Sequence, residues 1–251
     1  LAAWLPTDSV AELTALAALR LARLEKARRI DVAGHVATGL GAAARTNADK
    51  RFTLDRALLM LACDAGLCQT DMVRDAVKEF AKLVKSGSGD AAALAALEGR
   101  VTLAGGDVAD ARGHLRHAVF LESQKPLPQN LPQYSLYLAD ADPERAGEHV
   151  LAAYRALEQV RVVLMPVDPL TEESRFDLVV RPVFERAIGT TLASAGSDPS
   201  TLGRAQQIAE AYRSAELQNS LGAECVPLRN PVTPADLQPG EVLLYPLLLE
   251  D

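Results

Sequence analysis

Residues 96–119 read ALEGRVTLAGGDVADARGHLRHAV, and their apolar spacing predicts two helices separated by a Gly-Gly-Asp turn. Gly99 lies in the middle of the first of these helices. Glycine inside a helix costs roughly 1 kcal/mol relative to alanine, so we expect a compensating contact. That contact would be a second helix packed so closely that a side chain at position 99 would push the two apart. The alternative is an incidental glycine in an ordinary helix bundle, and Gly113 fits that alternative.

The amino-acid composition favours closely packed helices and argues against two kinds of binding surface. Of the 251 residues, 49% are hydrophobic but only 4% are aromatic. The apolar residues are mainly Ala, Leu and Val, and Ala and Leu are strong helix formers. The net charge of −7 argues against a general nucleic-acid or anionic-membrane surface. No apolar run reaches the roughly 18 residues of a membrane span.

The prolines divide the chain into an uninterrupted half and an interrupted half. Thirteen of the 14 prolines lie after residue 125, and proline breaks the interior of a helix. We therefore predict helix pairs in residues 1–125, proline-punctuated linking helices in 126–222, and a linker with a strand in 223–251. Six helices are expected in the first part: three at about 8–28, 32–45 and 54–68, a fourth that carries an apolar stripe from Ala76 to Val84, a fifth that Asp90 caps and a sixth that Asp107 caps.

The second half contains further helices and a terminal strand. Residues 142–164 predict a helix that Asp142 caps and whose first turn holds Pro143. Pro182 is expected to bend or interrupt a helix over 175–192. The stretch EVLLYPLLL at 241–249 is typical of a short strand. Because a lone strand has nothing to pair with, we expect it to begin an α/β domain that this chain lacks.

Helices four and six can be superimposed at an offset of 35 residues, which places Ala76 on Ala111 and Phe80 on Leu115. A period in the mid-thirties with two helices per unit is typical of a helical solenoid. The strongest unit resembles the tetratricopeptide repeat (TPR) motif through Gly99, Gly106, Asp107, Ala111, Leu115 and Ala118. This resemblance implies an all-α, right-handed superhelix of antiparallel helix pairs, in which these small residues pack one helix against the next.

The TPR resemblance also implies a concave groove that binds extended or helical peptides. Arg56 and Arg100 would lie in this groove and could hold an acidic side chain or a C-terminal carboxylate with bidentate hydrogen bonds. The alternative is that both are solvated charges on helix faces. Residues that the motif places in the groove are Arg56, Met60, Cys63 and Asp64 from one unit, and Arg100, Leu103 and Ala104 from the next.

A second resemblance covers the end of the chain. Residues 204–222, RAQQIAEAYRSAELQNSLG, followed by LQPGEVLLYPLLLED at 237–251, are similar to the segment that leads into a CHAT domain, a caspase-like α/β fold. In that family a TPR array precedes the domain, and a His/Cys dyad lies well downstream of the opening strand. The resemblance therefore implies that any protease-like chemistry would lie beyond Asp251.

Three cysteines, Cys63, Cys68 and Cys225, are too few and too scattered for a disulfide framework. We expect Cys63 and Cys68 to be small buried hydrophobes rather than a redox or metal pair. The odd number of cysteines favours the reducing cytoplasm. The chain begins at Leu1 rather than at methionine, so export after removal of a signal peptide is the alternative and the compartment stays open.

Two pairs of residues could form chemical sites. His114 and His117 are three residues apart on one predicted helix and could chelate a metal, but structural zinc usually needs four ligands. We expect surface or packing histidines, with no metal and no cofactor. Cys225 and His149 could serve as nucleophile and base, although nothing in the sequence brings them together.

These patterns predict a scaffold for protein–protein interaction rather than an enzyme. It would bind a protein or peptide and position or regulate the downstream domain of the same polypeptide, with neither nucleic acid nor membrane as a partner. One alternative is an autoinhibitory or dimerisation module whose groove is filled by residues 126–132 or by a symmetry mate. Another is a helical metal-dependent enzyme fragment that uses His114 and His117.

Overall fold

The computed structural model of the chain describes residues 7–28, 32–84, 91–164, 167, 174–196, 198–221 and 238. Within these ranges the regular structure is helical, apart from a bridge between Val167 and Ser174. The expectation of an all-α protein is therefore confirmed for the described residues. The strand predicted at 241–249 lies outside them.

The helices follow one another with short connections. Their bounds are α1 (Thr7–Ala27), α2 (Ala33–Ala43), α3 (Ala48–Asp64), α4 (Asp71–Leu83), α5 (Ala91–Ala104), α6 (Val108–Ser123), α7 (Leu131–Ala141), α8 (Ala146–Val160), α9 (Arg181–Ala195) and α10 (Pro199–Leu221).

Side-chain caps explain where three of the helices begin. Asn47 accepts a hydrogen bond from the Lys50 amide at 3.1 Å, and α3 therefore begins at Ala48. The predicted start near Leu54 was wrong by six residues, because the apolar stripe begins later than the helix. Thr70 and Asp107 cap α4 and α6 in the same way, as acceptors from amides three residues ahead.

The chain divides into two compact units. The first contains residues 1–130 with 140–144, and the second contains residues 131–139 with 145–251. In the first unit each helix from α1 to α5 contacts the next one along the chain, and α3 also contacts both α1 and α5. Its core is centred on the fully buried side chains of Leu19, Val36, Leu58, Leu59, Phe80 and Leu97.

The second unit has its core around α8, α9 and α10. Phe184 is fully buried there and stacks on Tyr212, with the ring centroids 5.4 Å apart. A π-helical segment, Phe176–Val180, passes directly into α9, whose first turn contains Pro182. The interruption expected at Pro182 is therefore a change of helix type, from π to α, within the first turn of α9.

The segment between the two predicted halves differs from the expectation. Helix α7 begins at Leu131 with Pro132 in its first turn, whereas no helix was predicted there. Residues Pro143–Arg145 form a 3₁₀ turn, and α8 begins only at Ala146. Asp142, which was expected to cap this helix, lies directly before the 3₁₀ turn; it is 1% exposed and pairs with arginines of α6.

Candidate functional site

The close approach of α5 to α6 is centred on Gly99. A Cβ added to Gly99 would lie 2.6 Å from Leu115 Cγ and 3.2 Å from the carbonyl oxygen of Ala111. Real Cβ atoms do not approach other heavy atoms this closely, so only glycine fits between these helices. Ala111, Leu115 and Ala118 have no exposed surface. The helix-propensity cost of Gly99 is thus offset by packing of the two backbones.

The remaining residues expected at repeat contacts occupy three environments. Gly106 has a φ of +91° in the turn between α5 and α6, a conformation that favours glycine. Phe80 is fully buried and stacks on Phe52 with centroids 4.9 Å apart. Ala76 is partly buried against the same core. Gly113 is exposed on α6, and no described atom lies within 4 Å of its Cβ position, so packing does not require glycine there.

A second close approach was missed in the sequence. A Cβ added to Gly39 of α2 would lie 2.7 Å from Leu58 Cδ2 on α3 and 3.4 Å from Ala18 Cβ on α1. Gly39 is buried within its helix, as Gly99 is. The sequence signal for Gly39 is the same as for Gly99: a glycine lies in the middle of a helix although its helix propensity is low.

Residues of α3 and α5 that were predicted to share a groove come together at Arg100. Its guanidinium pairs with Asp64 Oδ1 at 2.7 Å and donates a hydrogen bond to the carbonyl oxygen of Met60 at 3.3 Å. The Arg100 side chain is only 14% exposed. Arg100 was expected to hold a ligand carboxylate, but the carboxylate of Asp64 already occupies its guanidinium.

Arg56 is placed differently from Arg100. It lies one and two helical turns before Met60 and Asp64 on α3 and is partly buried. Among the residues that the structure describes, none forms an ion pair or hydrogen bond with its guanidinium. Leu103 lies one turn beyond Arg100 on α5 and is also partly buried, while Ala104 is exposed. We call the face formed by Arg56, Met60, Asp64, Arg100 and Leu103 the α3–α5 surface.

Cys63 and Cys68 form a disulfide that joins the end of α3 to the segment entering α4. Both residues are buried, and their Cα atoms are 4.4 Å apart. The expectation of two unpaired cysteines is wrong, because Gly66 turns the chain back at a φ of +79° and brings Cys68 to Cys63. Disulfides persist in oxidising compartments, so the argument for a reducing compartment from the cysteine count loses its support.

His114 joins α5 to α6 rather than belonging to a metal site. Its Nδ1 lies 3.3 Å from Glu98 Oε2 on α5, and its Nε2 lies 3.5 Å from Asp110 Oδ2 on α6. His117 is exposed. Within the described ranges no group of three or more His, Cys, Asp or Glu residues has the arrangement of a metal site. Cys225, the imagined partner of His149, lies outside those ranges.

Three carboxylates of the described residues are buried, and none of them was expected to be buried from the sequence. Glu122 is 1% exposed and accepts hydrogen bonds from the backbone and side-chain amides of Asn130, which ties the end of α6 to the loop that follows it. Asp142 is equally buried and lies 3.1 Å from the Arg116 guanidinium. Both are polar residues at positions where periodicity alone gives no sign of burial.

Asp55, on the buried side of α3, is the third of these carboxylates. It is 5% exposed, and burial raises its pKa from 3.8 to about 6, although Arg51 at 3.3 Å acts to lower it. This pair links two adjacent turns of α3 and lies away from the α3–α5 surface. It contributes to the electrostatics of the core rather than to a reactive site.

Across the described ranges, no helix is both long enough and apolar enough to cross a membrane. No protein-family model, curated protein or solved structure matches this chain.

Proposed function

We propose that this chain is a scaffold for protein–protein interaction, built from TPR-like antiparallel helix pairs that wind into a right-handed superhelix. The observation that carries the proposal is the contact of Gly99 with Leu115 and Ala111, which leaves no room for a side chain. A glycine at this spacing from Ala111 and Leu115 is the feature on which the TPR resemblance depends. The second buried glycine, Gly39, adds a comparable contact between α2 and α3.

The α3–α5 surface is the proposed binding site for a peptide. Its support is the contact of Arg100 with Asp64 and Met60, residues 36 and 40 positions earlier in the sequence, which joins α5 to α3 at one surface. Stacked repeats present such surfaces to extended or helical peptides. The guanidinium of Arg56 forms no ion pair or hydrogen bond with any described residue. Arg56 would therefore bind the carboxylate of the peptide.

We further propose that the helices position or regulate a CHAT-type domain in the same polypeptide and have no catalytic activity of their own. This part depends on the resemblance of residues 204–222 and 237–251 to the segment that leads into such a domain. Helix α10 spans most of the first stretch. A His/Cys-containing α/β domain encoded after Asp251 would support the assignment, and an in-frame stop there would remove it.

The binding proposal is tested by selecting peptides from a random library on the folded chain. Selected peptides are then titrated against the wild-type chain, Arg56→Ala and the control Arg45→Ala, since Arg45 is exposed beyond the end of α2. A lost charge-assisted hydrogen bond corresponds to a loss of affinity of roughly tenfold or more for Arg56→Ala. Arg45→Ala should leave affinity unchanged.

Two results would contradict the proposal. One is the failure of any library peptide to bind more tightly to the folded chain than to the urea-unfolded chain. The other is an equal affinity of the selected peptides for Arg56→Ala and Arg45→Ala, which would place binding away from the α3–α5 surface.

A further inference from the structure

Helix α1 has apolar residues on two opposite sides. One side packs into the first unit and is made of small residues with Leu19, all buried: Ala11, Ala15, Ala18, Leu19 and Ala22. The other side carries leucines with large exposed fractions, 57% for Leu13, 46% for Leu21 and 56% for Leu24. Since residues advance about 100° around a helix, these two stripes are diametrically opposed.

An exposed leucine stripe is unusual on a helix that already buries its other face. A surface helix normally has one apolar stripe towards the core and polar residues on the opposite side. The outer stripe of α1 therefore indicates that a further element covers it.

The order of residues along the stripe is symmetric about Ala17. Val10 and Leu24 lie seven residues before and after Ala17, and Leu13 and Leu21 lie four residues before and after it. Ala17 is exposed and Val10 partly buried, so all five residues share the outer side of α1. A two-fold axis between antiparallel helices brings position +n of one copy against position −n of the other. This stripe is consequently complementary to itself.

We infer that α1 pairs antiparallel with α1 of a second copy of this chain, with Ala17 at the crossing point. Leu13 then packs beside Leu21 of the partner subunit, and Leu24 packs beside Val10 of the partner subunit. Ala17 meets its own counterpart, and the small side chain allows a close approach at the axis. This inference does not depend on the proposed peptide-binding function.

Charge and area are consistent with a reversible dimer. Arg20, three residues after Ala17, is opposite Thr14 of the partner subunit, so the two-fold axis does not bring arginine against arginine. Three half-exposed leucines and their flanks bury roughly 500 Å² per copy, below the 800 Å² or so of a standard interface. An interface of this size belongs to the weak, transient class, and we expect a dissociation constant on the order of 10–100 µM.

Sedimentation velocity over about 1 to 500 µM chain tests the inference. We expect the wild-type chain to shift from monomer to dimer in this range, and Leu21→Glu to weaken the dimer at least tenfold, because each interface would bury two unpaired carboxylates. The matched control is Leu217→Glu, an exposed leucine on α10 that is 48% exposed and should leave the dimer unchanged. Far-ultraviolet circular dichroism establishes that each variant is folded.

The register is tested by cross-linking in a Cys225→Ser background. Ala17→Cys places a thiol at the two-fold axis and should oxidise to a covalent dimer much faster than Leu24→Cys, whose counterpart lies about 20 Å away along the axis. A chain that stays monomeric at every concentration overturns the inference. This result is expected if a helix of another protein, and not a second copy, covers the outer stripe of α1. Equal effects of Leu21→Glu and Leu217→Glu, or equal cross-linking at 17 and 24, overturn it as well.

Discussion

Gly99 of α5 lies directly against Leu115 of α6, and the space for a Cβ at position 99 is filled by the leucine branch point at 2.6 Å. Leu115 is fully buried, and the Ala111 carbonyl oxygen closes the same space from the backbone side at 3.2 Å. The leucine therefore cannot move aside without disturbing its own neighbours.

Gly99→Ala should lower the free energy of unfolding by about 1–3 kcal/mol, because overpacking outweighs the gain in helix propensity. Gly113→Ala is the control, since Gly113 is exposed on α6 with no described atom near its Cβ position. It should raise the free energy of unfolding by about 0.5–1 kcal/mol. Urea unfolding followed by circular dichroism measures both, and stabilisation by Gly99→Ala would contradict the packing account.

Gly39→Ala should also destabilise the chain, by about 1 kcal/mol and less than Gly99→Ala, because the atoms nearest its Cβ position are the methyl carbons of Leu58, at 2.7 and 3.0 Å, which can shift more easily than a backbone atom. The control lies on the same helix: Gly41 is exposed with no described atom within 4 Å of its Cβ position. Gly41→Ala should be neutral or stabilising. Equal unfolding free energies for these two variants would mean that α1, α2 and α3 are not packed as described.

The Arg100–Asp64 pair should show measurable coupling in a double-mutant cycle with Arg100→Ala and Asp64→Ala. The two side chains are 14% and 24% exposed, so water screens their 2.7 Å contact only partly. We expect a coupling of about 1–2 kcal/mol in the free energy of unfolding. The comparison pair Lys82–Glu79, with side chains 70% and 55% exposed, should give under about 0.5 kcal/mol. Equal couplings would place Arg100 in solvent.

Reduction should destabilise the chain through Cys63 and Cys68. Their disulfide closes a short loop, and the loop-entropy relation gives a loss of about 2 kcal/mol in the free energy of unfolding when it is broken. Urea unfolding with and without dithiothreitol measures this, and Cys63→Ala/Cys68→Ala should be insensitive to the reductant. Thiol titration of the native chain that found all three cysteines free would contradict the disulfide.

Asp55 should make stability fall as the pH rises. Burial raises its pKa from 3.8 to about 6, so between these values the folded chain binds more protons at this site than the unfolded chain does. The stability relative to Asp55→Asn is therefore greatest below pH 4 and declines towards pH 6, by at most about 3 kcal/mol for a shift of two pKa units. Urea unfolding of both proteins from pH 4 to 7 measures the difference between their free energies of unfolding. If the stability of the wild-type chain relative to Asp55→Asn increased with pH, the prediction would be contradicted.

Local patterns allowed the helical character and several helix boundaries to be predicted. Asp107 could be recognised as a cap because its carboxylate reaches an amide only three residues away. The cost of Gly99 in a helix was likewise visible in the sequence, because helix propensity is a property of each residue. Helix α7 was missed because Pro132 suggested a loop, although proline is tolerated in a first turn.

The contacts of the candidate site could not be predicted in the same way. Arg100 and Arg56 have the same sequence signature, a basic residue on an otherwise apolar helix, yet Asp64 engages only the first. The disulfide depends on the turn at Gly66, and the burial of Asp55 depends on the helices around α3. None of these follows from the residue types alone.

What the sequence by itself determined is the run of helices and the positions where small residues must stand, because backbone hydrogen bonds, caps and propensity act over a few residues. Only the tertiary structure decided which guanidinium is neutralised, which thiols are joined and which leucines of α1 stay on the outside. Those outcomes depend on how helix faces meet, and the contacts that set them join residues far apart along the chain.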